Sequence, residues 1–255
     1  MKYKIISALS IISFIILWQF IVYLRIFPQY LLAGPAEVFN MLILSTFEST
    51  ALKAGMRPWP EHVIMSVIRA MTGFIVAAAV GIPLGILMGW YKSIEALIDP
   101  IFELIRPIPP IAWIPLAILW FGIGLSSKVF IIWLGAFIPC LINSYVGVKT
   151  VDPTLIRAAK TLGANDRQIF LTIAIPYALP TIIGGLRIAV GSAWMCLVAA
   201  ELIGADIGLG FLSMHGMQWL RPDITILAMV LIGFLGFLFD SIIRKIEGKF
   251  SEWRK

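Results

Sequence analysis

Charge is scarce in this chain of 255 residues. Asp, Glu, Lys and Arg make up 13% of it, about half of the ~25% usual in a soluble domain. With a mean hydropathy of +0.96, too little polar surface exists to cover a water-soluble globule. That excludes an ordinary soluble fold and leaves the bilayer as the natural solvent. Cysteine is nearly absent. Cys140 and Cys196 each lie in an apolar run, which excludes a disulfide framework and a zinc spacing and leaves both as helix-packing residues. The two histidines, His62 and His215, have no metal or triad pattern around them and read as loop or interface residues. Neither a G-x-x-x-x-G-K-[ST] loop nor a nucleophile elbow occurs. The chain therefore has no phosphate cradle or hydrolytic centre of its own, no cofactor is implied, and any energy source must be another polypeptide.

What is abundant is apolar sequence in runs long enough to span hydrocarbon, about 20 residues each. Six spans can be drawn: Ile5 to Leu24, Val63 to Trp90, Ile101 to Gly122, Val129 to Val148, Thr181 to Ile203 and Ile224 to Ile243. The first is longer than a signal-peptide core and no small-x-small cleavage site follows it, so it is read as a helix. The chain then divides into an N-terminal transmembrane helix (1–24), an extracytoplasmic amphipathic segment (25–62), a core of five transmembrane helices (63–245) and a basic tail (246–255). Gly34-Pro35 marks a turn, with Pro35 at the first position of a short helix. Gly81, Gly85 and Gly89 recur every fourth residue, a spacing that lets a second helix come close.

The net charge of +6 invites a nucleic-acid reading. The cations form no stripe with interleaved aromatics, however, and most of them flank apolar spans. They describe topology instead. With the N-terminus inside, twelve fall on the cytoplasmic side (Lys2, Lys4, Lys92, Lys149, Arg157, Lys160, Arg167, Arg244, Lys245, Lys249, Arg254 and Lys255). Five fall outside: Arg25, Lys53, Arg57, Lys128 and Arg221. The positive-inside rule puts both termini in the cytoplasm.

Two stretches break the apolar pattern. "RPIPPIAWIPL", residues 106 to 116, carries prolines at 107, 109, 110 and 115, too many for a regular helix. Broken backbone at membrane depth survives where protein or a water-filled cavity receives its polar groups. The segment is either a pathway lining or a kinked structural helix. Three arginines, Arg69, Arg106 and Arg187, stand in or near spans and need a cavity, a partner or the interface. Arg69 and Glu201 both fall in the outward third of their spans and are placed to pair.

The second stretch is polar: "RAAKTLGANDRQIFLTIAIPYALP", residues 157 to 180, within a loop taken as 150–176. Asp152-Pro153 predicts a helix start, with the helix running to Leu162 and stopping at Gly163. Asn165 with Gln168 predicts a capping box for a second helix, and Pro176 and Pro180 are expected to end it or bend it into the fifth span. Small alanines on one side and cations on the other suit either an interfacial amphipathic loop or a docking surface.

Here the sequence resembles a family. "AAKTLGANDRQIFLTIAIPYALP" is similar to the EAA loop of ATP-binding-cassette (ABC) importer permeases, with Ala158, Ala159, Gly163, Ile173 and Pro176 at matching positions and Arg157 where the family has glutamate. "RPIPPIAWIPLAILWFGIG" (106–124) and "GLRIAVGSAWMCLVAAELI" (185–203) resemble the nitrate, sulfonate, taurine and bicarbonate branch, and the likeness extends from "GPAEV" to about Asp240. The resemblance implies an all-α polytopic membrane protein with six transmembrane helices and a type I ABC importer permease (MetI-like) fold. It implies two ATPase subunits, a second permease subunit, an extracytoplasmic substrate-binding protein and residence in the cell membrane. It assigns ATPase coupling to Arg157, Ala158, Ala159, Leu162, Gly163 and Ala164. The residues expected along the translocation pathway are Arg106, Pro107, Pro109, Pro110, Arg187, Trp194 and Glu201, with Arg106 and Arg187 lending a positive potential to a passing anion. The implied solute is a small anion or zwitterion, although branches of the family also carry thiamine precursors and aromatic compounds. A secondary transporter would show internal repeats and coupling-ion carboxylates, and a membrane enzyme a catalytic cluster. The sequence offers neither.

Overall fold

The computed structural model describes residues 2–46 and 57–251. Lys53, Arg254 and Lys255, counted in the charge argument, lie outside the described residues. Among those described there are helices and no strands. In order they are α1 (Lys2–Tyr23), α2 (Pro35–Leu44), α3 (Trp59–Trp90), α4 (Lys92–Ile105), a 3-10 turn (Pro110–Trp113), α5 (Ile114–Phe121), α6 (Leu125–Lys149), α7 (Pro153–Thr161), α8 (Asp166–Ile169), a π turn (Phe170–Ala174), α9 (Ile175–Gly204), α10 (Leu209–Gln218) and α11 (Pro222–Ser251).

Four stretches are long and apolar enough to cross a membrane: Trp59–Trp90, Leu125–Lys149, Asp166–Gly204 and Pro222–Lys245. The pair Lys92–Ile105 and Pro110–Phe121 passes the same test only when taken together, and its halves meet at 83° across the proline-rich break, the geometry of a broken span or a re-entrant loop. The broken backbone predicted there is present, and Pro110 opens the 3-10 turn. The remaining expected span, Ile5 to Leu24, falls on α1, which is 22 residues long.

At the start of the fifth span the sequence has Pro176 and Pro180 either ending the preceding helix or bending it into the span. Pro176 and Pro180 do not end the preceding helix. The chain is helical from Asp166 through Gly204, 39 residues, because the backbone widens into the π turn just before Pro176. The Ile175 N–H donates to the Phe170 carbonyl, five residues back, and the wider turn absorbs the proline that would otherwise collide with it.

By contact the chain forms two units, residues 1–66 with 201–234 and residues 67–200 with 235–255. In the first, α1 meets the turn ahead of α2, where Trp18 Nε1 donates to the Ala33 carbonyl at 3.1 Å. Pro35 occupies the first turn of α2 and Glu37 reaches back to the Gly34 N–H at 2.9 Å. In the second unit, α3 lies directly on α6. A Cβ at Gly85 would stand 2.3 Å from the Leu141 carbonyl oxygen and one at Gly89 2.8 Å from that of Tyr145, so the glycine spacing permits a backbone contact no side chain would allow. Cys140 and Cys196 are free, buried and packed against such stripes. Ile114, Ala117, Ile131, Cys196 and Ala200 form one apolar core of this unit, and Val148, Val151, Ala174, Ala178 and Ile182 another.

Candidate functional site

The elbow between α6 and α9 is built from local signals. Asp152 Oδ1 accepts the Thr154 N–H at 2.7 Å, and Pro153 takes the first helical position, where its missing donor has no partner to lose. That amide hydrogen bond holds the Asp152 carboxyl below the usual carboxylate range. α7 ends at Thr161, one residue earlier than expected, and Leu162 is its C-cap. Gly163 follows at φ +85°. Its N–H donates to the Lys160 carbonyl and that of Ala164 to the Ala159 carbonyl, both at 3.0 Å. These reversed bonds make a Schellman turn, which requires the left-handed residue glycine provides. Asn165 and Gln168 then exchange reciprocal bonds of 2.9 Å, so the capping box is formed.

The elbow is anchored on one side and open on the other. Ile156 packs against the core around Val148 and Val151. Arg157, Ala158 and Gly163 are exposed, Ala159 and Ala164 half-buried, and Leu162 is 88% exposed at the tip. Lys160 pairs with Asp166 across the turn at 3.0 Å. The six residues expected to couple are therefore gathered on one short, capped, outward-facing corner.

The residues expected along the pathway are placed in three groups. Arg106, Pro107 and Pro109 are exposed at the break and Pro110 is half-buried, with Arg106 donating to Glu103 at 2.8 Å. Arg187 and Trp194 lie two turns apart on α9 and both meet α11. Arg187 Nε donates to Asp240 Oδ1 at 2.7 Å, and Arg244 bonds the other oxygen of the same carboxylate at 2.6 Å. Trp194 packs edge-on against Phe239, with centroids 5.2 Å apart.

Glu201 belongs to the third group. It is 0% exposed, accepts the Ser66 hydroxyl at 2.8 and 2.9 Å, and accepts the Gly210 N–H at 3.0 Å. The Leu209 N–H donates to Ser66 Oγ at 2.9 Å and the Gly208 N–H to His62 Nδ1 at 3.0 Å. Three successive amides at the start of α10 are thus received by an imidazole, a hydroxyl and a carboxylate. His62 is 1% exposed on α3, so of the two readings, loop or interface residue, it is the interface that holds. Its spacing of four from Ser66 on α3 is the one sequence signal of this clamp. Arg69, expected to pair with Glu201, is also buried.

Two further contacts escaped the sequence reading. Glu95 accepts the Tyr145 hydroxyl at 2.6 Å and Lys149 Nζ at 2.6 Å. Phe170 packs on Trp90 and Tyr91, with centroids 5.3 and 6.2 Å apart. Neither contact joins residues close in sequence.

Apolar helices, a broken span and an exposed capped elbow among the described residues fit a multi-pass membrane protein. Residues 81–252 match the family described as "Binding-protein-dependent transport system inner membrane component". A putative ABC transporter permease protein of Methanocaldococcus jannaschii is 48% identical over 196 residues, 76% of this chain and 73% of that one. The taurine transport system permease protein TauC of Escherichia coli is 36% identical over 236 residues, 92% and 85% of the two chains. The bicarbonate transport system permease protein CmpB of Synechococcus elongatus is 32% identical over 248 residues, 93% and 86%. Among solved structures, an inward-facing form of the MetNI methionine ABC transporter shares the fold, with a TM-score of 0.55 at 21% identity over 73% of this chain and 93% of that one. The chain belongs to the binding-protein-dependent transport system inner membrane component family, and it is the permease subunit of an ABC importer.

Proposed function

We propose that this permease carries a small anionic or zwitterionic solute of the taurine, sulfonate, nitrate or bicarbonate kind. The observation that carries the reading is that relatives named for taurine and for bicarbonate each match more than nine-tenths of the chain. Two ATPase subunits dock on the elbow through Ala158, Ala159, Leu162, Gly163 and Ala164, and Arg157 meets an acidic group there in place of the family's usual glutamate. A second copy of the chain completes the pathway, and an extracytoplasmic binding protein selects the solute. Both termini and the elbow face the cytoplasm, as the distribution of Lys and Arg supports. Arg106, Pro107, Pro109 and Pro110 border the pathway at the broken span. Arg187 and Trp194 fix α9 to α11, and Glu201 fixes the far end of α9, so that the wall keeps its shape.

Melting-temperature shifts of the binding protein with taurine, ethanesulfonate, nitrate and bicarbonate test the solute. A rise with one of these and none with a thiamine precursor or an aromatic acid is expected; the opposite pattern overturns it. Maleimide labelling of Lys160→Cys tests the topology, and labelling from the outer face would overturn it.

A further inference from the structure

We propose that the short junction from Trp90 to Glu95, between α3 and α4, receives the movement of the elbow and delivers it to the proline break. This rests on the reading of the elbow as the ATPase docking site. The chain enters the elbow at Lys149 and leaves it through Phe170, and both ends are tied to this one junction. At the entry, Lys149 Nζ and the Tyr145 hydroxyl converge on the Glu95 carboxylate at 2.6 Å each, and Lys149 Nζ also sits 5.3 Å from the centre of the Tyr145 ring. At the exit, Phe170 lies against Trp90, the last residue of α3, and Tyr91, the residue before α4.

The junction is a single extended residue. Tyr91 has φ −103° and ψ 109°, so α4 is joined to α3 by one non-helical link and turns as a body about it. From Lys92 to Ile105 it runs 14 residues, about 20 Å at 1.5 Å per residue. It ends at the 83° bend before Pro110. A push at either end of the elbow is therefore applied at the root of a helical lever, with Pro100 inside it, whose tip is the broken span. The π turn that begins at Phe170 sets an i→i+5 irregularity at the exit itself, of the kind that recurs at functional sites in helices.

Glu95 and Phe170 are positioning residues on this account: they touch neither solute nor nucleotide. A single half-exposed ion pair adds little to stability, so loss of these contacts shows in coupling and not in folding.

The test uses the full permease with its co-purifying ATPase in nanodiscs. Leu162→Cys, cross-linked to the ATPase, reports docking. Ile111→Cys, 51% exposed beyond the break, reports the lever through its maleimide labelling rate with and without ATP and vanadate; the native thiols Cys140 and Cys196 are buried. In Phe170→Ala and in Glu95→Gln, docking stays intact while the nucleotide-driven change at position 111 falls on the order of fivefold. The exchange of Glu95→Lys with Lys149→Glu restores it, which also separates a lost contact from a misfolded variant. A wild-type response at position 111 in both single variants overturns the proposal and leaves the elbow reading standing. Failure of Leu162→Cys to cross-link in the wild-type background overturns both.

Discussion

In the elbow, Asp152 caps an amide two residues away and Asn165 one three residues away. Around Glu201 the corresponding bonds join residues 135 and 146 apart in sequence: Ser66 to Glu201, and His62 to Gly208. Both regions solve the same problem, which is that a helix begins with amides its own carbonyls cannot reach. The elbow solves it where water is near, with local side chains and a glycine. The clamp solves it in a buried interior, where His62 and Ser66 arrive from far along the chain and Glu201 from nine residues back. A failure in the first is a frayed corner. In the second it strands several polar groups at once.

The largest effect is therefore expected at Glu201. Glu201→Ala leaves the Ser66 hydroxyl and the Gly210 amide without an acceptor, and each stranded buried donor costs about 1–3 kcal/mol. Gly208→Ala should do comparable harm, because the position holds φ +135° and a Cβ there would lie 2.4 Å from the Glu201 carboxyl carbon. Both variants should fail to give a monodisperse permease in detergent, while Glu201→Gln, which keeps an acceptor in place, should survive with a lower melting temperature. Wild-type thermal stability of Glu201→Ala would show the clamp to be incidental.

The same contrast explains what the sequence could and could not say. The elbow was legible because Asp152-Pro153, Gly163 and Asn165 to Gln168 act within a few residues, so their spacing is their structure. The 83° break was legible for a similar reason, since each of Pro107, Pro109 and Pro110 acts on its own turn. The clamp was hidden: nothing near Glu201 says that its partners are Ser66 and Gly210, and nothing near His62 points to Gly208. Pairings such as Arg187 with Asp240, or Glu95 with Tyr145 and Lys149, are likewise products of helix packing. Pro176 left two outcomes open, an ended helix or one bent into the fifth span, and a π turn, itself a compromise among backbone bonds, let the helix continue.

The next effect should fall on coupling and leave the fold intact. Ala159→Trp wedges the outer surface of the elbow. Gly163→Val forces a β-branched residue into the left-handed region, at a cost of roughly 1–2 kcal/mol. Both permeases should insert and purify normally, lose ATPase association in pull-downs and lose solute-stimulated hydrolysis, while Lys160→Gln on the solvent side changes little. Normal coupling in the wedged variants would reduce the elbow to an interfacial loop.

A smaller effect is expected where the comparison is mixed, at a charged pair that is half-exposed. Arg187→Gln removes one of the two guanidinium groups bonded to Asp240 and leaves Arg244 with the other carboxylate oxygen. The melting temperature should drop by a few degrees, and Arg187→Gln combined with Asp240→Asn should recover part of it, because the cluster with Arg244 and Glu247, one cation short in the single variant, is then balanced in charge again. Solute uptake by the double variant decides the rest. If uptake returns with stability, Arg187 serves packing alone; if it stays low while stability returns, the positive charge itself acts on a passing anion.

The smallest effect separates geometry from charge within the elbow. Asp152 is fully exposed, and its carboxyl is held below the ordinary range by the Thr154 amide. A group whose folded pKa is depressed adds stability above its unfolded pKa, and that stability is lost as pH falls through the folded value. Wild-type α7 should therefore lose amide protection at Thr154 and Leu155 only in acid, below the pH at which a free aspartate protonates. Asp152→Asn accepts the same hydrogen bond, since asparagine caps as well as aspartate does, but does not titrate. Its protection, after correction for intrinsic exchange, should stay level over that acid range and fall slightly short of the wild type near neutrality, where it lacks the favourable charge at a helix N-terminus. Asp152→Ala should lose protection at every pH. If Asp152→Asn follows Asp152→Ala, the cap depends on charge and not on the shape of the acceptor, and the local account of the elbow would have to be rebuilt around its electrostatics.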